Sequence, residues 1–331
     1  NVEVRIYNPI TVMNLFRLNY RMHDKYVIVD EKMYLLGGRN TNDIFLGDKK
    51  TGINEDRDIL MYDASGGESS SLLKLEGYFQ QIWNEEHVSR KKSCHEQKYY
   101  TEQYVILEEK YDTLKTKYPD IDSYDDWETD TFSVDKITLI DNGTQAGRKN
   151  PQVLQAIEAF AMQGAHVIIQ TPYVICNDYM YGVLEHISEK TDTKVILNAV
   201  EKGSNPWGCT DYLNQKQKIL DTSVTVYELM NEHAVHTKAV LIDDDISIVG
   251  SYNLDIRSTY LDTELMLVIE SPELNEQIRA IEAAYMEKSK EVQPDGQETE
   301  GSLYKEKTLD KKKQIFYGVL RILVRPFRHL L

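Results

Sequence analysis

Cysteine is scarce in this sequence: Cys94, Cys176 and Cys209 are the three in 331 residues, far apart and without a CxxC pair. Such spacing argues against a disulfide framework or a zinc site and fits a reducing compartment. Long apolar runs are also missing, and none approaches the roughly 20 residues that a spanning helix needs. Positive charge is in short supply, with 38 Lys and Arg against 54 Asp and Glu and a net charge of −16. General nucleic-acid binding is disfavoured by that balance, because phosphates call for a positive field. Hydrophobic residues at 41% and charged residues at 28% exclude a disordered, collagenous or coiled-coil chain. The charge is uneven. Residues 305–331 hold eight basic and two acidic side chains, so this tail carries +6 and the body −22.

What is present is an internal repeat. HDKYVIVDEKMYLLGGRN begins at His23, and HTKAVLIDDDISIVGSYN begins at His236, 213 residues later. Both obey H-x-K-x4-D-x6-G-[GS]-x-N without a gap. A chance match to five fixed positions is rarer than roughly one in a million per start. Each copy reads as strand, acidic turn and returning strand, with Val27–Val29 and Val240–Ile242 as apolar runs.

Around the copies the pattern is α/β. Strands are expected at 136–140, 166–170 and 194–197 and helices at 150–163 and 180–190, which implies a largely parallel, buried sheet. Residues 1–88 form the first unit, 89–134 a polar connector, 135–298 the second unit and 299–331 a basic tail. The second unit uses 101 residues between Asp135 and His236, whereas only 22 precede His23. The expectation is therefore that the first unit is the C-terminal part of a longer one.

Residues i and i+2 of a strand share a face. His23 projects with Lys25 and His236 with Lys238, while Asn40 and the Ser251–Asn253 pair come from the returning strands. Imidazole, ammonium and amide converging on one spot suit an anionic phosphorus centre. The lysines neutralise its oxygens, and the amides with the Ser251 hydroxyl donate hydrogen bonds that strengthen as charge builds. One neutral imidazole can attack and one protonated imidazole can protonate the leaving alkoxide. No metal is required and no cofactor is implied. Asp30 and Asp243 complete the two motifs, and their opposite parity places them in structural hydrogen bonds at the turns. Each imidazole also needs an acceptor for its other nitrogen. Aligning Arg57–Tyr62 with Thr263–Val268 assigns Asp58 to His23 and Glu264 to His236. The alternative is two solvent-facing carboxylates at strand edges.

The paired H-x-K-x4-D motifs resemble the phospholipase D superfamily. RMHDKYVIVDEKMYLLGGRNTND and GSYNLDIRSTYLDTELMLVIES are similar to its bacterial cardiolipin synthase branch, especially the C-type members. The resemblance implies a two-lobed α/β/α sandwich with a pseudo-twofold repeat, its first lobe incomplete here, and two motifs meeting at the lobe interface. It implies a metal-independent phosphatidyltransferase working through a phosphatidyl-histidine intermediate, with His23 as nucleophile and His236 as general acid and then base. A phospholipase D would use the same residues with water as acceptor, and a phosphodiesterase or nuclease is a further rival. Gly38 stands where the commoner pattern has Ser. Asp255 and Arg257 match the branch and are expected to brace the loop. The implied substrates are phosphatidylglycerol or phosphatidylethanolamine. The implied location is the cell membrane, peripheral on the cytoplasmic side or held by a segment upstream.

The tail from Gln314 to Leu331 has Arg321, Arg325 and Arg328 on one side of a helical wheel and Ile315, Phe316, Val319, Leu323, Phe327 and Leu330 opposite. A cationic helix lying among lipid headgroups is the expectation. The alternative is a helix packed on the protein's own body.

Overall fold

The structure, a computed structural model, describes residues 2–46, 54–91 and 97–331; Cys94 lies outside them. The first lobe holds β1 (Arg5–Tyr7), β2 (Lys25–Val29), β3 (Met33–Gly37), α1 (Asp43–Leu46), β4 (Asp58–Tyr62), α2 (Ser70–Asn84) and β5 (Val88–Arg90). A largely exposed helix, α3 (Gln97–Lys117), follows in the connector. The second lobe opens with β6 (Lys136–Asp141), α4 (Gln152–Ala161), β7 (His166–Gln170), α5 (Asp178–Ser188), β8 (Asp192–Asn198), α6 (Pro206–Leu220) and β9 (Thr225–Leu229). It continues through β10 (Ala239–Ile242), β11 (Ile246–Gly250), α7 (Ile256–Tyr260), β12 (Leu265–Glu270), α8 (Pro272–Glu287), β13 (Ser289–Val292) and β14 (Glu298–Glu300). Helix α9 (Lys311–Leu323) and a 3-10 turn at Arg325–Leu330 end the chain.

The two motif copies fold alike. β2, β3 and β4 form an antiparallel meander, and so do β10, β11 and β12. Asp30 and Glu31 both have positive φ, 51° and 54°, the twist that suits a two-residue hairpin turn. At the opposite end of each hairpin, Gly37 and Gly250 let the next strand come close. A Cβ on Gly250 would lie 2.1 Å from the Leu265 carbonyl oxygen, and one on Gly37 would lie 2.6 Å from the Asp58 Cα.

Among the described residues the second lobe's sheet runs β14-β13-β9-β8-β7-β10-β11-β12-β6. Only β7-β8 and β8-β9 are parallel. The expected largely parallel sheet is thus corrected to a mixed one, because the motif hairpins and the flanking strands return antiparallel without a crossover helix. Its strands are buried on both faces, as in the β10 and β12 runs. In the first lobe, β2 pairs only with β3 among the described residues, whereas its counterpart β10 lies between β11 and β7.

The lobes share a core. Leu72 and Leu75 on α2 are fully buried with Leu265, Leu267 and Ile269 of β12 and Leu139 of β6. Spacing of three residues puts Leu72, Leu75 and Tyr78 on one face of α2, and Ser69 caps its start by accepting from the Leu72 N–H. Each such leucine contributes about 1.5–3 kcal/mol of burial. Two short parallel bridges complete the junction, Met22 to Thr263 and Glu55 to Val235.

Candidate active site

Those two bridges set the catalytic geometry, because each lies beside a motif histidine. His236 N–H donates to the Glu55 carbonyl at 2.7 Å, and His23 N–H donates to Thr263 Oγ1 at 3.2 Å. The carboxylate following each bridge then reaches across the lobe boundary. Glu264 Oε1 lies 2.9 Å from His23 Nδ1, and Asp56 Oδ2 lies 2.7 Å from His236 Nδ1. With its carboxylate ionised and accepting, each ring carries its proton on Nδ1 and leaves Nε2 for chemistry; Lys238 Nζ also lies 2.6 Å from His236 Nδ1.

The sequence-based assignment of these carboxylates is therefore corrected. Glu264 serves His23, not His236. Asp58 faces no histidine; it binds the Arg39 Nε at 2.7 Å and the Arg39 backbone N–H at 3.2 Å. Strand register explains the error. Gly37 pairs with Asp58 and Gly250 with Met266, so the true counterparts, two residues earlier, are Asp56 and Glu264. The chain runs 16 residues from Asn40 to Asp56 but 11 from Asn253 to Glu264, a difference that no local pattern reveals. The run Glu55-Asp56-Arg57-Asp58 offered a carboxylate at the right position, but only the ladder selects it.

Asp30 and Asp243, grouped with the catalytic motifs, sit at the far turns of the hairpins. A strand of that length puts them about 20 Å from their histidines. Asp243 accepts from the Ala165 and His166 backbone N–H groups at 2.9 and 2.8 Å, tying the turn to the start of β7. Asp30 is exposed at its turn. As catalytic residues both are corrected to turn-building ones, in line with their parity.

The returning strands supply the rest. The buried Ser251 hydroxyl donates to Glu264 Oε2 at 2.5 Å and receives the Leu265 N–H at 3.0 Å. In the first copy a Cβ at Gly38 would lie 2.7 Å from Asp56 Oδ1, so glycine here leaves room for the carboxylate. Asn253 is buried and its Oδ1 has no partner among the described residues, while Asn40 is half-buried. Asp255 caps α7 through the Ser258 N–H at 2.6 Å, and Arg257 binds Asp262 at 2.9 Å and the Asn19 carbonyl at 3.0 Å.

Sequence reasoning also missed a brace behind Asp56. Arg57 Nη1 lies 2.9 Å from the buried Glu282 of α8, and Glu55 Oε2 accepts from the Tyr285 hydroxyl at 2.8 Å. This pair of contacts pins the segment that carries Asp56 to the second lobe.

Burial and mutual repulsion dominate the electrostatics. His23 is lowered to about 3, first by burial and then by the charges of Lys25 and Lys238. His236 is lowered to about 4 by burial and Lys238, against the pull of Asp56. Lys238 falls to about 7 through burial, with Lys25 adding to the shift. Its Nζ lies 3.0 Å from His236 Nε2. That each lobe's lysine acts on the other lobe's groups means the two motifs close on one space. Burial would raise Asp56, but its hydrogen bond to His236 and the Lys238 charge outweigh this and hold it below the ordinary carboxyl range. Glu264 is raised to about 7 by burial despite both lysines. Beyond burial, Lys25 lowers Lys238 although Asp56 and Glu264 pull the other way, so a phosphate would add negative charge that favours both lysines and raises both imidazoles toward the working range. Among the described residues no group of three or more His, Cys, Asp or Glu is placed to hold a metal ion.

The family profile described as "Cardiolipin synthase, PLD-like domain" matches residues 150–284. A Helicobacter pylori uncharacterized protein is 23% identical over 84% of this chain and 62% of its own length. Cardiolipin synthase 1 of Staphylococcus epidermidis is 25% identical over 87% of this chain and 52% of its own. The chain thus spans between half and two thirds of these relatives. Among solved structures, the phosphatidylserine synthase of Haemophilus influenzae superposes with a TM-score of 0.58 at 14% identity, covering 94% of this chain and 71% of that one. The two lobes share the fold of that phosphatidylserine synthase. By sequence, residues 150–284 are similar to the PLD-like domain of cardiolipin synthases.

Proposed function

We propose that this protein is a phosphatidyltransferase that makes cardiolipin from phosphatidylglycerol and a second lipid alcohol. The observation that carries the reading is the pair of imidazoles, each with Nδ1 on a carboxylate of the opposite lobe, Lys238 Nζ on the His236 ring and the Lys25 charge acting on His23. In this mechanism His23 Nε2 attacks the phosphodiester phosphorus, forming a P–N bond as the P–O bond to the leaving alcohol breaks. His236, charged once substrate anion offsets the lysines, gives its proton to the departing alkoxide; ionised Asp56 favours that imidazolium. A second alcohol then enters, His236 removes its proton, and the new P–O bond releases His23. Lys25, Lys238, Asn40, Ser251 and Asn253 surround the phosphoryl oxygens and the groups that orient the histidines. Glu264 fixes the His23 tautomer.

Phosphatidylglycerol or phosphatidylethanolamine would be the donor, and the lipid substrate places the reaction at a membrane surface. No described helix is long and apolar enough to cross a membrane. The test is mass spectrometry of products after incubating the full chain with phosphatidylglycerol vesicles. Cardiolipin with released glycerol supports transfer; phosphatidate alone would replace transfer with hydrolysis. His23→Ala and His236→Ala should each abolish turnover without unfolding the protein, and the losses should not add. More than about a tenth of the activity surviving in either variant would refute the two-histidine chemistry.

A further inference from the structure

The tail folds onto the protein, with Arg321 and Arg328 turned inward instead of toward headgroups. Its arginines do not project outward together. Arg321 Nε donates to Asn214 Oδ1 at 2.9 Å and its Nη2 to the Leu213 carbonyl at 3.0 Å, both on α6. Arg328 pairs with the buried Asp211 at 2.6 Å and also reaches the Cys176 carbonyl at 2.5 Å. Tyr317, Leu320 and Val324 are buried on the same side. The chain end is clasped as well, because the Arg257 backbone N–H donates to the Leu331 carbonyl at 3.0 Å.

The opposite side is left bare. Ile315, Phe316, Val319, Ile322, Leu323 and Phe327 are between 51% and 70% exposed. At ~100° per residue, those of them on α9 span an arc of about 120°, and Lys311 and Lys312 fall within or just beside it at the helix N-terminal end. Arg325 is exposed at the other end. Five large apolar side chains on α9 with Phe327 just beyond it, flanked by cations that have no ion-pair partner among the described residues, on a body of strongly negative charge, are an interaction surface rather than ordinary surface.

We propose that this face of α9 docks flat on an anionic lipid bilayer, its apolar row entering the acyl boundary and its lysines and Arg325 meeting the headgroups. Arg321 and Arg328 act as internal clamps that hold the helix in that pose and are not headgroup ligands. Charge complementarity selects the occupant. An acidic lipid surface satisfies both the cations and the apolar row, whereas a second copy of this chain would bring its own exposed cations against them. The inference deepens the lipid-substrate reading and rests on it for the partner. Its test reads vesicle binding apart from turnover, so failure of the chemistry and failure of the docking are distinguishable. Arg257 also gives the docked tail a direct connection to Asp262, two residues before Glu264.

In the full chain, Phe316→Asp with Ile322→Asp should weaken co-sedimentation with phosphatidylglycerol-containing vesicles at least tenfold, leaving thermal stability and turnover of a soluble short-chain phospholipid unchanged. A Phe316→Trp reporter should shift its emission to the blue and be quenched by brominated lipid. Equal vesicle binding by the double variant, or a reporter unaffected by vesicles, would overturn the proposal. So would a concentration-dependent dimer that the double variant abolishes while vesicle binding persists, since a second copy would then be the occupant.

Discussion

Replacing Asp56 by Asn tests the cross-lobe pairing most directly. The carboxylate sits 2.7 Å from His236 Nδ1 and is held ionised by that bond and by Lys238. Asn keeps the volume but removes the charge, and its amide can turn an N–H toward Nδ1, which favours the wrong tautomer. A hydrogen bond to a charged group is worth about 1.5–3 kcal/mol, and each ~1.4 kcal/mol is a factor of ten. Loss of the bond alone should therefore cost about 10- to 100-fold in kcat, and the tautomer error brings the total to roughly 10²–10³-fold. Because Asp56 raises the His236 pKa, its loss moves that group below the already lowered value of about 4, away from the protonated form. Asp58→Asn should change turnover less than about threefold, since its partly exposed pair with Arg39 is worth ~0–1 kcal/mol. Initial rates of glycerol release from phosphatidylglycerol vesicles decide it, with circular dichroism as the control for folding. Asp56, ionised in the fold below its ordinary pKa, contributes stability above that value and loses it as pH falls, so the variant should melt at a lower temperature at neutral pH. The pairing is refuted if Asp56→Asn keeps more than about a tenth of the activity while Asp58→Asn does not.

Glu264, raised to about 7 by burial, offers His23 Nδ1–H the stronger charged acceptor only when ionised. Turnover should fall as pH drops through about 7, and Glu264→Gln should be slow at all pH values and lose that acid limb. The brace behind Asp56 should matter to both fold and rate. Glu282→Ala takes the carboxylate from the half-buried Arg57, read as a drop in Tm and kcat, with Glu282→Asp partly restoring kcat. Gly250→Ala would force a Cβ to within 2.1 Å of the Leu265 carbonyl oxygen, beside Glu264, and should abolish the folded second lobe in a melting experiment. EDTA should leave the rate unchanged, and a strict need for added divalent metal in the same assay would sink the metal-free mechanism.

Local pattern made the strand-turn-strand hairpins legible, because alternation with period two and an acidic turn are written in consecutive residues. The i, i+2 parity also placed His23 with Lys25 and His236 with Lys238, and set Asp30 and Asp243 apart from them. The duplication itself, two copies 213 residues apart, announced two lobes and one shared chemistry. Tertiary structure decided what crosses between the lobes. Glu264 reaches His23 across 241 residues and Asp56 reaches His236 across 180. Those pairs depend on strand register after a loop of variable length, which carries no periodic signal. The same holds for the tail. Its wheel separates arginines from apolar residues, but which side turns inward is settled by Asp211 and Asn214 on α6, partners that lie more than a hundred residues away in sequence.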